Sequence, residues 1–342
     1  MSDKKYNVAV VGATGVVGQT MISVLEERSF PVGKLKPLAS SRSAGSKVSF
    51  RGEEVQVEEL NSSSFADVDI ALFSAGGDVS REYGPIAAKA GAVVIDNSSA
   101  FRMQNDVPLV VPEVNPGDVS QWKNTGIIAN PNCSTIQFVV AVAPLHARAR
   151  IKRAVVDTYQ SVSGAGSDAM KELETQTEAL LAGEDSSNDV FPHQIAFSCI
   201  PHIDVFEDNG YTKEEMKIVR ETKKILGDQS VKVAPTAVRV PVFTGHSEAV
   251  ALEFENDISP EEARSILESA PVVTIVDDVA GAQYPLAPNS AGTDDVYVGR
   301  IRKDPTVPHG LQMWVVSDNL RKGAALNAVQ IAELWCSKDR EV

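Results

Sequence analysis

The segment Val8-Ala9-Val10-Val11-Gly12-Ala13-Thr14-Gly15-Val16-Val17-Gly18 constrains the fold more than any other part of the chain. Four consecutive apolar residues suit a strand buried on both faces of a parallel sheet. They run directly into glycines spaced Gly-x-x-Gly-x-x-Gly, after which Val17, Met21, Val24 and Leu25 fall on one face of a helix. Such a turn lets the backbone reverse tightly, leaves no Cβ in the way of a phosphate, and points a helix N-terminus at it. Gly12, Thr14, Gly15, Val16, Val17 and Gly18 are therefore candidate dinucleotide-binding residues. Glycines also serve strand-to-helix turns for purely steric reasons. Their position after an N-terminal strand is what raises the binding reading.

The end of the second strand, near 35–39, narrows the cofactor. Sites that prefer NAD usually place a carboxylate there for the ribose hydroxyls. Here the chain reads Ser40-Ser41-Arg42-Ser43. Hydroxyls and a guanidinium suit a 2′-phosphate, so Ser41, Arg42 and Ser43 point to NADP, against the plainer alternative of a solvated turn. Further strands are expected at 69–73 and 92–95, with a helix at 80–90 between them. The first of these ends in Ser74-Ala75-Gly76-Gly77, small residues suited to a cofactor groove, with Ser74 and Gly76 as candidates. Alternation of this kind means a doubly wound parallel sheet with ligands beyond the carboxyl ends of its strands. Arg102 lies just past such an end. Because the chain carries a net charge of −14, nucleic acid and anionic membranes are poor partners, and an anionic ligand needs a few local cations.

Past residue 133 the pattern changes. A strand is expected over 151–160, a flexible small-residue loop over 161–166, and helices over 168–181 and 214–226. Strands follow at 231–234 and 237–242, then a helix whose start carries Ser259 as N-cap and Pro260 at its first position. Long strands without regular βα alternation suggest an α+β domain around a mainly antiparallel sheet. Residues 322–335 read as a helix whose small residues allow close packing. At 342 residues the chain is long enough for two domains. The N-terminal apolar run is too short for a signal-peptide core or a membrane span.

Cys133, in Asn-Pro-Asn-Cys-Ser-Thr, falls at the start of a buried helix. Amides there lack intrahelical partners and the dipole favours an anion, so a thiol should ionise readily. A small residue filling core is the alternative. The three cysteines, Cys133, Cys199 and Cys336, are odd in number and far apart, without metal-type pairing. No metal is expected, and a reducing cytoplasm fits.

In order and spacing, "GATGVVG", "SSRSAG", "NPNCST", "TYQSVSGAG", "FPHQIAF", "EEMKIVRETKKIL" and "RVPVFTGHS" make the chain closely resemble the shorter bacterial form of the aspartate-β-semialdehyde dehydrogenase family. The resemblance implies a Rossmann-type α/β domain over 1–131, joined by a C-terminal helix over 322–342 that packs back on it. It also implies a C-terminal α+β catalytic and dimerisation domain over 132–321. The reaction implied is the NADP-dependent interconversion of aspartyl-β-phosphate and aspartate-β-semialdehyde through an acyl-enzyme thioester, on the route to lysine, methionine and threonine. Carried over by motif, Cys133 is the nucleophile, Gln160 orients the acyl group and His246 is the acid/base that takes the thiol proton. Arg239 clamps the α-carboxylate, Glu214 meets the α-amino group, and Arg102, Lys217 and Asn132 hold phosphate. Ser163, Gly164 and Asn319 lie near the nicotinamide. The family also implies a homodimer. Rival readings are another acyl-phosphate reductase of the same architecture, such as an N-acetyl-glutamyl-phosphate reductase, and a non-catalytic NADP-binding sensor. Glu214 with Arg239 argues against the first, because an amino-acid clamp is wasted on an acetylated amine. Retention of cysteine, glutamine and histidine argues against the second.

Overall fold

The computed structural model describes residues 4–339, so the ends of the expected first domain (1–3) and last helix (340–342) lie outside the described residues. The chain divides into two compact units, 1–132 with 324–342, and 133–323. In the first unit, six parallel strands run in the order Glu58–Glu59, Val32–Ala39, Tyr6–Val11, Ile70–Phe73, Val93–Asp96, Ile127–Ala129. Val8 through Val11 are fully buried, as a central parallel strand requires. The chain leaves Tyr6–Val11 to one side and returns on the other at Ile70–Phe73. The carboxyl ends of these two strands therefore form the switch point where ligands of such sheets bind.

The last helix, Leu326–Asp339, belongs to this unit's core. Trp335 meets Tyr6 edge-on at 5.9 Å and Trp122 at 5.7 Å, and Arg28 makes a two-pronged ion pair with Glu333 at 2.8 and 2.7 Å. The helix expected from residue 322 enters through a π-helical turn, Arg321–Ala325. Periodicity cannot distinguish that widened turn from an α-helix.

The second unit holds a six-stranded mixed sheet in the order Lys232–Arg239, Ile151–Gln160, His246–Phe254, Gly310–Ser317, Val296–Asp304, Val273–Ile275. Its outermost pairs are parallel and the three between them antiparallel, so the sheet is mainly antiparallel, as expected, with a parallel strand added at each edge. Lys232–Arg239 is one strand and not two: Pro235 interrupts the apolar pattern but is tolerated on an edge. Helices Cys133–Ala149, Lys213–Leu226 and Pro260–Glu268 lie against the sheet. Ala154, Val156, Thr158 and Gln160 are buried along one face of their strand, while Tyr159 on the other is 38% exposed. The expected cap holds: Ser259 Oγ accepts the Glu262 N–H at 3.1 Å. The 161–166 segment is tighter than a flexible loop, with a 3₁₀ turn over Val162–Ala165.

Candidate active site

In the first unit, the glycine turn has the form a bound pyrophosphate needs. Gly12 has φ +84°, and a Cβ on it would lie 2.6 Å from the Ser74 carbonyl oxygen. One on Gly18 would lie 2.1 Å from the Gly12 oxygen, so the helix start packs too closely on the turn for any side chain. Helix Val16–Glu27 has Gly15 as N-cap and no side-chain cap, which leaves its amide end to a ligand. Ser74 is half-buried and Gly76, φ +88°, caps the next helix. Ser41 and Arg42 are exposed and Ser43 half-buried, in a turn closed by the Ser43 N–H donating to Ser40 O at 2.9 Å. This cradle fits a dinucleotide.

Arg102 is buried, with Nε donating to Asn130 O at 2.9 Å and Nη2 to Asn97 O at 2.8 Å. Asn97 follows the strand Val93–Asp96, whose buried Asp96 carboxylate accepts Ser80 Oγ at 2.6 Å and Ser98 Oγ at 2.7 Å. Asn132, the last residue of this unit, is also buried.

The second unit gathers most of the remaining candidates. Cys133 opens its helix half-buried, and a Cβ on Gly323 would sit 3.0 Å from the Cys133 Cβ, so a side chain there would crowd the thiol. Gln160 Nε2 donates to Glu214 Oε1 and to Thr158 Oγ1, both at 3.2 Å. The other Glu214 oxygen takes Lys217 Nζ at 3.0 Å, and Lys217 also reaches Asp204 Oδ2 at 2.9 Å. The i, i+3 spacing of Glu214 and Lys217 alone suggests a solvated surface pair. The structure buries Glu214 and shields Lys217 instead. Burial works against the Lys217 ammonium, yet the Glu214 and Asp204 carboxylates outweigh it and hold its pKa above the ordinary lysine value. Asp204, which no motif marks, is a member of the site that sequence reasoning missed.

Arg239 ends its strand buried, with Nη1 donating to Ser161 O at 2.7 Å. It lines a cavity of about 500 Å³ with Phe191, His202 and Asp204. Burial lowers its pKa from the usual arginine value, while Glu214 and Cys133 act in the opposite sense. Cys133 therefore lies within electrostatic reach of the guanidinium.

His246 is fully buried. Its Nδ1 accepts the Ser161 backbone N–H at 3.1 Å, with Ser161 Oγ 3.0 Å away, whereas Nε2 has no partner. Because Nδ1 is an acceptor, the neutral ring carries its proton on Nε2. Burial first, and then Arg239, push its pKa down to about 3. The expectation that His246 takes the thiol proton does not fit this arrangement: Nε2 is already protonated, and a second proton on Nδ1 would face the Ser161 N–H.

Three residues expected near the nicotinamide share the polar network that includes Ser161. Asn319 Oδ1 accepts from Gly245 N at 2.9 Å, Ser161 Oγ at 3.1 Å and Ser163 Oγ at 3.2 Å. A Cβ on Gly164 would stand 3.3 Å from His246 Nε2 and 3.1 Å from Arg239 Nη1. Of the other histidines, His202 stacks on Phe206 at 4.4 Å and His146 Nδ1 accepts the Ile151 N–H at 3.1 Å. Among the described residues no three His, Cys, Asp or Glu groups could hold a metal ion, and no helix is long and apolar enough to cross a membrane.

Two family models match the chain: "Semialdehyde dehydrogenase, NAD binding domain" over residues 7–122 and "Semialdehyde dehydrogenase, dimerisation domain" over 142–322. An aspartate-semialdehyde dehydrogenase of Aquifex aeolicus is 58% identical over 331 residues, covering 96% of this chain and 97% of that protein. A solved aspartate semialdehyde dehydrogenase II of Vibrio cholerae, complexed with ASA, superposes with TM-score 0.96 at 51% identity, over 98% of this chain and 99% of that one. A Candida albicans aspartate semialdehyde dehydrogenase solved with NADP matches at TM-score 0.76 and 27% identity, over 98% and 99% of the two chains.

Proposed function

This chain belongs to the aspartate-semialdehyde dehydrogenase family, and from that premise we propose that it reduces L-aspartyl-4-phosphate to L-aspartate-4-semialdehyde with NADPH through a Cys133 thioester. That places it in lysine, methionine and threonine biosynthesis, in the cytoplasm, as a homodimer. The observation that carries the reading is the polar cluster of the second unit, in which a buried Arg239, the Gln160–Glu214–Lys217 chain and an unpartnered His246 Nε2 accompany Cys133.

Cys133 is the nucleophile, kept as thiolate by its helix start and by Arg239. It attacks the acyl carbon, and phosphate leaves with the electron pair of the C–O bond. Arg102, Lys217 and Asn132 hold that phosphate, on the family resemblance. Bound NADPH supplies a hydride to the thioester carbonyl. The His246 Nε2–H donates to the oxyanion at each tetrahedral stage, acting as a fixed dipole and keeping its proton. Collapse of the second oxyanion expels the thiolate, so Cys133 returns ready for the next acyl group, and the one proton the reduction consumes is taken from solvent by the departed phosphate. Arg239 takes the substrate α-carboxylate in a charge-assisted bond. Glu214 takes the α-amino group, and Gln160, already bonded to Glu214, orients the acyl chain. Gly12, Thr14, Gly15, Val16, Val17, Gly18, Ser74 and Gly76 hold the dinucleotide, with Ser41, Arg42 and Ser43 at its 2′-phosphate. Ser163, Gly164 and Asn319 border the nicotinamide while setting the His246 ring.

The test is NADP reduction with aspartate semialdehyde and inorganic phosphate. Phosphate-dependent turnover that collapses in Cys133→Ser, by about 10³-fold or more, supports the thioester route. Undiminished turnover in that variant removes Cys133 as nucleophile, and an inactive wild type that still binds NADPH removes the substrate assignment.

A further inference from the structure

Glu248 is a buried acid that the proposed mechanism does not use. It sits two residues after His246 on the strand His246–Phe254, opposite Thr158 and Val315. Period-two alternation puts it on the same face as the His246 ring. It is completely buried, and neither carboxyl oxygen has a hydrogen-bond partner among the described residues. The polar group beside it is the Gln137 side-chain amide. Gln137 is buried in its turn, and its Oε1 likewise lacks a partner. Burial raises its pKa well above the usual carboxylate range, against a smaller opposing effect of the Gln137 amide. A protonated acid has one O–H to give, and Gln137 has one acceptor to fill.

Gln137 stands four residues beyond Cys133, one turn along the same helix. Four helical residues advance about 6 Å and two strand residues about 6.6 Å. Gln137 and Glu248 thus stand at similar distances along their elements from Cys133 and His246. Gln137 Nε2 is also directed at the His246 carbonyl oxygen, at 3.4 Å. We propose that Glu248 is a positioning residue for the reacting pair: its carboxylic O–H donates to Gln137 Oε1 and so fixes the register of the Cys133 helix against the His246 strand. A leucine there would satisfy burial and lose the tie, whereas a glutamine keeps a donor of the same shape.

This inference rests on the proposed function in that it assigns chemistry to Cys133 and His246. The experiment compares wild type, Glu248→Leu and Glu248→Gln in three readouts: kcat and KM with aspartate semialdehyde and phosphate, iodoacetamide alkylation mapped to Cys133, and the infrared carbonyl band of a protonated acid. The expected result is a kcat lowered about 10- to 100-fold in Glu248→Leu. KM should stay unchanged, alkylation should slow, and both losses should be restored in Glu248→Gln. The infrared band should be present in wild type and absent from both variants. Wild-type kcat in Glu248→Leu, failure of Glu248→Gln to rescue, or absence of the band in wild type overturns the proposal. If Glu248→Leu does not fold, the glutamine variant and the band still decide it. If wild type has no turnover, the functional reading fails separately, and the alkylation rates and the band judge the Glu248 tie alone.

Discussion

Gly164→Ala adds one methyl carbon between the neutral His246 ring and the Arg239 guanidinium, both buried. The new Cβ would lie 3.3 Å from His246 Nε2 and Cε1 and 3.1 Å from Arg239 Nη1. Neither neighbour retreats freely: the ring is tied by the Ser161 N–H and the guanidinium by the Ser161 carbonyl. Overpacking a tight site costs about 1–3 kcal/mol. Gly164 does not occupy the left-handed region, so alanine is otherwise compatible and regains about 0.4–1 kcal/mol through the unfolded chain. The stability change is therefore modest, a loss of roughly 0–2.6 kcal/mol. Activity should suffer more, because the displaced atom is the one aimed at the oxyanion. A misplacement worth 1.4–2.7 kcal/mol corresponds to about 10- to 100-fold in kcat/KM. Initial rates of NADP reduction, alongside denaturant unfolding, measure both quantities. A variant within twofold of wild type in kcat/KM refutes the steric argument. A change confined to the KM for NADP makes Gly164 a cofactor residue and nothing more.

Acid should unfold the protein in part through His246. The ring has a pKa of about 3 folded and about 6.5 unfolded. Between those values the unfolded chain binds the extra proton, so stability falls as pH drops, by up to about 1.4 kcal/mol per unit. Unfolding curves of His246→Gln should lack that slope, and the kcat/KM profile of wild type should show no histidine limb near pH 6.5. Arg42→Ala removes the charge expected at the 2′-phosphate and should raise the NADP KM about 10- to 100-fold while sparing NAD. Equal effects on both cofactors would remove Arg42 from that role. Asp204→Asn releases one of the two carboxylates holding Lys217 and should lower the phosphate KM about two- to five-fold. An increase instead would mean that Asp204 serves to aim the lysine.

The sequence was most legible where local chemistry and tertiary demand coincide. Gly12 and Gly18 are glycines because neighbouring backbone leaves no room for a Cβ, and their spacing after a strand already says so. The same holds for Ser259 as a cap, where the side chain and the amide it satisfies are three residues apart. Motif resemblance brought in Gln160, Glu214, Lys217, Arg239 and His246, which no periodicity singles out, and the structure ties them together within one unit. What stayed hidden depends on partners distant in sequence. The His246 tautomer is set by the Ser161 backbone N–H, 85 residues away. Asp204 meets Lys217 from a loop without a motif, and Glu248 looks like an ordinary alternating strand residue until its burial is known. The two parallel edge strands of the second sheet stayed hidden because strand pairing leaves little trace in either partner alone.

The stretch after helix Ser167–Ala182 reads as unpatterned, yet its path is dictated from the helix itself. Glu172 accepts the backbone N–H groups of Asp189, Val190 and Phe191, and Gln176 Oε1 accepts those of Ile195 and Ala196. These are main-chain bonds, indifferent to the side chains of the loop they hold. The two helix positions act as a template, and, apart from Asn188, whose Oδ1 accepts Gln176 Nε2 at 3.1 Å, residues 184–190 are free to drift in sequence while Phe191 keeps its place 5.9 Å from the Arg239 guanidinium. Diversity between relatives should therefore gather in the loop and spare the helix. A designer seeking a different acyl substrate can rewrite the wall of the cavity there without redrawing its course.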